Sequence, residues 1–210
     1  MRKLILSTNA SLDGYIEGKN GDMSWMQPDD DDTWDDLFGM LKNNVDLFLL
    51  GRGMWAEYRN YWKKALAGPE KFSAHEVAYA KLAEKTPHIV FSKTLKESGW
   101  ENTTINSGDL ETELKKLKAA EGKAIQIVGG ADFAAALLDT GLVDEIRILL
   151  NPAIVAGGKS FFHQLKNRHS LELTEVKQLA NQIVVLVYHL IDTNSAVNQN
   201  PVKRRAENNK

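Results

Sequence analysis

Short apolar runs alternate along the chain with segments whose apolar residues recur every three or four positions. The apolar runs predict strands at residues 4–8, 46–50, 88–91, 124–128 and 145–150. The helical spacing predicts helices at residues 33–44, 54–64, 74–85, 110–120 and 131–139. Two longer segments, at residues 171–178 and 183–191, predict a pair of strands that closes the fold around a turn.

This alternation predicts an α/β fold with a central mixed, mostly parallel sheet flanked by helices and a C-terminal antiparallel strand pair. No repeat and no linker interrupts the pattern, so residues 1–193 are predicted to form one domain. Residues 194–210 are polar and basic, and we expect a flexible, solvated tail there, with an interaction arm as the alternative.

The composition excludes several classes of protein. The chain has 210 residues, of which 43% are hydrophobic and 26% charged, as in an ordinary globular domain. It contains no cysteine, which excludes disulfide scaffolds, iron–sulfur clusters and cysteine nucleophiles and suits the cytoplasm, where we expect the protein. The longest strongly apolar run, residues 183–191, is far shorter than the roughly 20 residues of a membrane-spanning helix.

Charge is distributed unevenly along the chain. The formal net charge is −2, and because the tail carries +3, the remaining residues carry −5. A body of that sign is a poor general binder of nucleic acid, so we expect no nucleic-acid partner. Any phosphate group that it binds must be held by local geometry.

Three predicted strands end in turns that could supply this geometry. Gly-Arg-Gly at residues 51–53 and Gly-Gly-Ala at residues 129–131 each open a predicted helix, and Ser-Lys-Thr at residues 92–94 follows a third strand. Glycine lets the backbone approach a phosphate, and the free N–H groups of a helix start point at it. Arg52 and Lys93 add positive charge. For any single turn, the alternative is that strand–helix connections simply favour glycine.

Seven segments resemble a known family in their order and spacing. They are Leu-Ile-Leu-Ser at 4–7, Ser-Leu-Asp-Gly-Tyr-Ile at 11–16, Trp25, Leu-Leu-Gly-Arg-Gly-Met-Trp at 49–55, Ile-Gln-Ile-Val-Gly-Gly at 125–130, Asp-Glu-Ile at 144–146 and Gly-Gly-Lys-Ser-Phe-Phe at 157–162. The chain resembles the dihydrofolate-reductase-like fold over about residues 2–192. It is most similar to the branch that contains the reductase domain of the bifunctional riboflavin-biosynthesis deaminase–reductase.

The resemblance implies a reductase that uses NADPH to reduce a small heterocyclic or sugar-linked substrate, similar to 5-amino-6-(5-phosphoribosylamino)uracil reductase. It implies that the turns at 51–54 and 92–94 hold the adenosine end, that Arg52 favours the 2′-phosphate, and that residues 128–131 hold the pyrophosphate. Residues 9–10 and 13–14 flank the nicotinamide. The implied cofactor-binding residues are Asn9, Ala10, Asp13, Gly14, Gly51, Arg52, Gly53, Met54, Ser92, Lys93, Thr94, Val128, Gly129, Gly130 and Ala131.

The sequence identifies the residues that would contact the substrate less clearly than those that would contact the cofactor. Trp25, Trp34, Phe38 and Phe162 could line the pocket. Dihydrofolate reductases carry a carboxylate at the start of the first helix, and within the acidic residues 29–36 we place the catalytic carboxylate at Asp32. The alternative is that the whole run only stabilises a helix start.

Two other functions stay open. The chain could be a true dihydrofolate reductase, or a regulatory module that binds a nucleotide without turnover. The chain starts directly with the reductase-like strand, so we expect no deaminase domain with it. We expect no metal ion, since no histidine pair has the spacing of metal ligands, and the resemblance implies a possible homodimer.

Overall fold

The computed structural model describes residues 1–27 and 30–191. Its ten strands are β1 Leu4–Ser11, β2 Tyr15–Glu17, β3 Val45–Gly51, β4 His88–Phe91, β5 Thr103–Asn106, β6 Ala124–Gly129, β7 Glu145–Asn151, β8 Lys159–Ser160, β9 Ser170–Gln178 and β10 Val184–Ile191. Its five α-helices are α1 Asp31–Asn44, α2 Arg52–Ala67, α3 Ala74–Lys85, α4 Leu110–Ala119 and α5 Ala131–Asp139.

Eight of the strands form one mixed sheet in the order β5-β4-β3-β6-β1-β7-β10-β9. Neighbours from β5 to β7 are parallel, whereas β10 is antiparallel to both β7 and β9. The predicted mostly parallel sheet and its antiparallel closing pair are therefore confirmed. The short strands β2 and β8 form a separate antiparallel pair.

The sheet is covered by helices on both faces because its central strands are apolar on both sides. Alternate residues of β3 show this directly: Leu47 and Leu49 pack in the core that α4 and α5 cover, and Phe48 and Leu50 pack beneath α1, α2 and α3. Trp55 of α2, 1% exposed, belongs to the second core.

Three local features differ from the prediction. Strand β5, Thr-Thr-Ile-Asn, was not predicted because a short polar edge strand lacks a clear apolar pattern. Helix α2 begins at Arg52 and not at residue 54, because Gly51 has extended backbone dihedrals and serves as its N-cap. The β2–β8 pair was also missed, since each strand has at most three residues. The predicted tail, residues 194–210, and Asp29 lie outside the described residues.

Candidate functional site

The predicted phosphate turns meet at one edge of the sheet. Strands β4, β3, β6 and β1 are consecutive parallel neighbours, so their carboxyl ends lie side by side. We call this the carboxyl edge and define it as residues 9–14, 51–54, 92–94 and 128–131. Ligands of open α/β sheets bind in this position, outside the carboxyl ends of the strands.

Arg52 stands at the start of α2 as the first residue of the helix. Its side chain is exposed, and among the described residues it forms no hydrogen bond or salt bridge. Gly51, as the N-cap, provides no side-chain cap, which leaves N–H groups of the first turn free. The start of α2 therefore combines a free guanidinium group with the positive end of a helix dipole.

The two glycines beside Arg52 have different roles. A Cβ atom at Gly51 would lie 2.7 Å from Cβ of Phe133, so glycine is needed there because β3 packs closely against α5. This close packing is a second reason for glycine at position 51, and its contact with a phosphate stays a prediction. A Cβ atom at Gly53 would meet nothing within 4 Å, which leaves open space in front of the helix start.

The turn after β6 has the backbone geometry that only glycine adopts easily. Gly129 has φ +136° and Gly130 has φ +87°, and Gly130 is the N-cap of α5. The N–H of Ala134 donates to the carbonyl of Gly130 at the helix start, so the N–H groups that precede it in the first turn are free to meet an anion. Met54 packs against this turn, with its Sδ 3.0 Å from a Cβ built on Gly129.

In the turn after β4, the backbone N–H groups are bonded to a side chain of the same turn. The Ser92 hydroxyl oxygen accepts hydrogen bonds from the N–H groups of Thr94 at 3.2 Å and Leu95 at 2.9 Å. These N–H groups are thus not available to a phosphate, and a contact of Ser92, Lys93 or Thr94 with the cofactor stays a prediction. Lys93 is exposed, and its charge is a minor cause of the lowered pKa of Asp109, after the hydrogen bonds from Thr112.

The carboxylate of Asp13 is committed to the protein. It accepts hydrogen bonds from Ser11 Oγ at 2.7 Å, from the N–H of Val155 at 3.1 Å and from the N–H of Ala156 at 2.8 Å. The hydrogen bond from Ser11 is the largest cause that lowers the pKa of Asp13 to about 2. Asp13 therefore joins the loop after β1 to the loop after β7, and its place beside a nicotinamide stays a prediction. Beside it, Gly14 has φ +81° and open space around it.

The side chains of Asn9 and Ala10 differ in their burial and in their hydrogen bonding. Ala10 is only 6% exposed, so its side chain lies in the core and not in the cleft. Asn9 is half-buried, and its Oδ1 accepts a hydrogen bond from Asn151 Nδ2 at 3.1 Å. Sequence reasoning missed Asn151, which is 1% exposed at the end of β7. The signal that could have found it is a polar amide directly after the apolar strand run at residues 145–150.

The acidic residues around the start of α1 have structural partners. Asp30 caps the helix by accepting from the N–H of Thr33 at 2.8 Å, and Asp31 lies 3.0 Å from His75 Nε2. Asp32 Oδ2 accepts from the N–H of Ala180 at 3.0 Å. These contacts favour the interpretation of the run as a stabilised helix start. A catalytic role for Asp32 stays a prediction.

The aromatic residues expected around the substrate lie in different parts of the fold. Trp34 stacks on Phe38 of the same helix, with ring centroids 4.7 Å apart. Phe162 instead contacts Phe161, which belongs to the core covered by α4 and α5. Trp34 and Phe38 are residues of α1, Phe162 is 41% exposed shortly after β8, and Trp25 lies in the loop that precedes α1. Their contacts with a substrate stay predictions.

Three further properties of the described residues concern metal-ligating clusters, membrane-spanning helices and cavities. In residues 1–27 and 30–191, no group of three or more metal-ligating side chains comes together, and no helix is long and apolar enough to cross a membrane. A cavity of about 390 Å³ lies beside Lys3, Glu145 and His189, at the opposite ends of the strands.

Several solved structures share this architecture. A protein of Shewanella sp. PV-4 provisionally assigned to riboflavin biosynthesis superposes with a TM-score of 0.67 at 22% identity, over 90% of this chain and 99% of that one. The deaminase/5-amino-6-(5-phosphoribosylamino)uracil reductase of Thermotoga maritima gives a TM-score of 0.65 at 16% identity, over 90% of this chain and 57% of that one. The dihydrofolate reductase of Enterococcus faecalis gives 0.50 at 16% identity, over 90% and 97%. The fold is therefore of the dihydrofolate-reductase-like type.

Sequence comparison gives a narrower relationship. YyaP, an uncharacterised protein of Bacillus subtilis, is 32% identical over 188 residues, which cover 90% of this chain and 95% of YyaP. The model of the RibD C-terminal domain family matches residues 2–185. Since that match spans nearly the whole described chain, the protein belongs to the RibD C-terminal domain family of riboflavin-pathway-like reductases.

Proposed function

We propose that the protein is an oxidoreductase that binds NADPH at the carboxyl edge and reduces a small heterocyclic or sugar-linked substrate. The observation that carries this proposal is the meeting of Arg52, Gly53 and the Gly129–Gly130 turn at the ends of neighbouring strands. Two helix starts and one unpaired guanidinium group converge there in a body of net negative charge. This combination suits a dinucleotide with an additional phosphate.

The residues present fit this cofactor. Gly53 leaves room for a phosphate, the turn before α5 offers free N–H groups, and Arg52 offers a bidentate donor for the 2′-phosphate. NADPH, when bound, supplies a hydride. The role of the protein is to orient the nicotinamide beside the substrate and to exclude water. The Trp34–Phe38 pair would assist in this.

Calorimetry with NADPH and NADH tests the cofactor assignment. The wild type should bind NADPH more tightly, and Arg52→Ala should weaken NADPH by about ten- to a hundredfold while changing NADH little, since a charge-assisted hydrogen bond contributes about 1.5–3 kcal/mol. Lys64→Ala is the matched control, because Lys64 is an exposed cation near the other end of α2. Equal, millimolar binding of both dinucleotides would contradict the proposal.

Turnover assays test the substrate class. NADPH oxidation should be measured against pyrimidine, pterin and flavin-precursor substrates. Oxidation with a ribosylaminopyrimidine supports the proposed function, whereas dihydrofolate turnover at enzyme-like rates would favour a dihydrofolate reductase. Tight NADPH binding with complete inactivity would favour a nucleotide-binding regulatory module.

Asp32 is the proposed proton donor to the substrate. Asp32→Asn should abolish turnover and leave NADPH binding unchanged, because the amide can still accept from Ala180. Unchanged turnover would assign Asp32 to the structural contact alone.

Cellular location and assembly are proposed separately. The cysteine-free composition and the use of NADPH suit the cytoplasm. The proposed homodimer predicts a mass of twice 23.5 kDa in light scattering after size exclusion.

A further inference from the structure

The side-chain amide of Asn151 is completely buried and fully used by the protein. It is 1% exposed. Its Nδ2 donates to the carbonyl of Leu149 at 3.0 Å and to Oδ1 of Asn9 at 3.1 Å, and its Oδ1 accepts from the N–H of Gln27 at 2.9 Å. Asn151 thereby links β7, the end of β1 and the loop that precedes α1.

The backbone partners leave only one orientation for this amide. The N–H of Gln27 can only donate and the carbonyl of Leu149 can only accept, so the oxygen of Asn151 must face the first and its nitrogen the second. The atom that faces Asn9 is this same nitrogen, which can only donate. Asn9 must therefore turn its oxygen towards Asn151.

The direction of the Asn9 amide follows from this bond. With its oxygen on Asn151, Asn9 turns its NH₂ group the other way, and no described residue accepts a hydrogen bond from that group. Asn9 is half-buried and lies near the C-terminal end of β1, within the carboxyl edge. A half-buried donor without a protein acceptor needs an acceptor from water or from a ligand.

We propose that Asn151 is a positioning residue that holds the Asn9 amide so that its NH₂ group donates to a ligand carbonyl oxygen. This inference rests on the proposed function, and the carbonyl it commits to is that of the nicotinamide carboxamide. A flipped Asn9 would present an oxygen to that carbonyl, and two acceptors would then face each other. The Asn151 amide prevents the flip.

The experiment compares two ligands that differ only at the nicotinamide end. NADPH carries the carboxamide, and 2′-phospho-ADP-ribose lacks the nicotinamide ring. Asn9→Asp is nearly isosteric and keeps an oxygen for Asn151, but it removes the NH₂ donor. We expect Asn9→Asp to weaken NADPH by about tenfold and to leave 2′-phospho-ADP-ribose unchanged, because the variant loses one hydrogen bond and leaves two acceptors facing each other.

The role of Asn151 is tested through its dependence on Asn9. Asn151→Ala should weaken NADPH and spare 2′-phospho-ADP-ribose in the wild-type background, and should add no further loss in the Asn9→Asp background. Asn43→Asp, at an exposed position near the far end of α1, controls for the added negative charge. Thermal unfolding of each variant checks that the fold is kept.

The outcomes separate the two proposals. If the wild type binds neither ligand, the proposed function fails and this inference fails with it. If the wild type binds both but Asn9→Asp affects them equally or not at all, the inference about Asn9 is overturned while the proposed function stands. Additive losses from Asn9→Asp and Asn151→Ala would overturn the positioning role of Asn151.

Discussion

Asp13 Oδ2 accepts a hydrogen bond from the N–H of Ala156 at 2.8 Å across 143 positions of sequence. This bond, with the one from Val155 to Asp13 Oδ1, ties the loop after β1 to the loop after β7 beside the carboxyl edge. Ala156 has φ +57°, a left-handed conformation that costs a non-glycine residue free energy. The Asp13 carboxylate therefore holds a loop that would otherwise relax.

Asp13→Asn should loosen this loop. The variant replaces one acceptor oxygen by a donor that faces the N–H groups of the loop, so limited proteolysis should cut within residues 152–158 faster than in the wild type.

Because the native pKa of Asp13 is lowered to about 2, the carboxylate stabilises the fold above its ordinary pKa near 4, and this contribution is lost as the pH falls towards 2.

Urea unfolding at several pH values measures the second effect. The difference in free energy of unfolding between wild type and Asp13→Asn should shrink as the pH falls from 4 to 2, because the wild type then protonates its own carboxylate. A constant difference over that interval would show that Asp13 does not titrate in this way.

Gly51 and Gly53 allow a second prediction, from two alanine substitutions two residues apart. Gly51→Ala should lower the free energy of unfolding by about 1–3 kcal/mol, since its Cβ would lie 2.7 Å from Phe133. Gly53→Ala has open space inside the first turn of α2 and should raise stability by up to about 1 kcal/mol. Gly53→Ala should nevertheless weaken NADPH, because the new methyl group occupies the space in front of the helix start.

Thermal unfolding and calorimetry on both variants check these opposite effects. A Gly53→Ala protein that is more stable and binds NADPH as well as the wild type would remove the start of α2 from the cofactor site.

The sequence was sufficient to predict the sheet because its strands are short, largely apolar runs, and β3 and β6 at its centre are followed directly by helices α2 and α5. The bounds of β4, α3 and α5 agree residue by residue with the structure. Strand β5 has no such signal, and its existence depends on pairing with β4, which is a contact distant in sequence. Long-range pairing is what a single sequence reveals least.

In the candidate site, too, local features could be predicted from the sequence and contacts between distant residues could not. The glycine turns before α2 and α5 were predicted from local chemistry, and the structure brings them to one edge. The partners of Asp13, Asp32 and Asn9 lie about 140 to 150 positions away, so no local pattern indicates that these side chains are already bonded. All three polar side chains therefore have structural contacts, whereas the resemblance implied only roles at the cofactor or substrate.

Asp36 gives a third prediction, because its carboxylate connects α1 to the sheet. It lies 2.9 Å from Arg147 and 3.0 Å from Lys177, and the hydrogen bond to Asp36 raises the pKa of Lys177. The side chains of Asp36 and Arg147 are only 14% and 10% exposed. Asp36→Asn should lower the free energy of unfolding by about 3 kcal/mol, because it leaves a buried guanidinium group without its main partner.

Asp35→Asn is the matched control for Asp36→Asn. Asp35 is an exposed neighbour in the same helix turn, and its substitution should change stability by less than about 0.5 kcal/mol. Urea unfolding at pH 7 compares the two variants, and equal losses would mean that the ion pair with Arg147 adds nothing beyond the charge of the helix start.

His88 carries the last prediction, which concerns pH. It is 1% exposed, its Nε2 lies 3.1 Å from the hydroxyl of Tyr58, and burial lowers its pKa from 6.5 to about 4. A histidine that is harder to protonate in the native state than in the unfolded chain destabilises the fold as the pH falls below 6.5. The loss should reach about 3 kcal/mol near pH 4, because each unit of pKa difference corresponds to about 1.4 kcal/mol.

His88→Gln keeps a polar group beside Tyr58 but cannot titrate. Its free energy of unfolding should therefore change less than that of the wild type between pH 6.5 and pH 4, even if the variant is less stable at pH 7. The pH dependence identifies the cause, since a packing defect at His88 would shift both ends of the curve equally. Parallel curves for wild type and variant would mean that His88 gains a proton as easily in the native protein as in the unfolded chain.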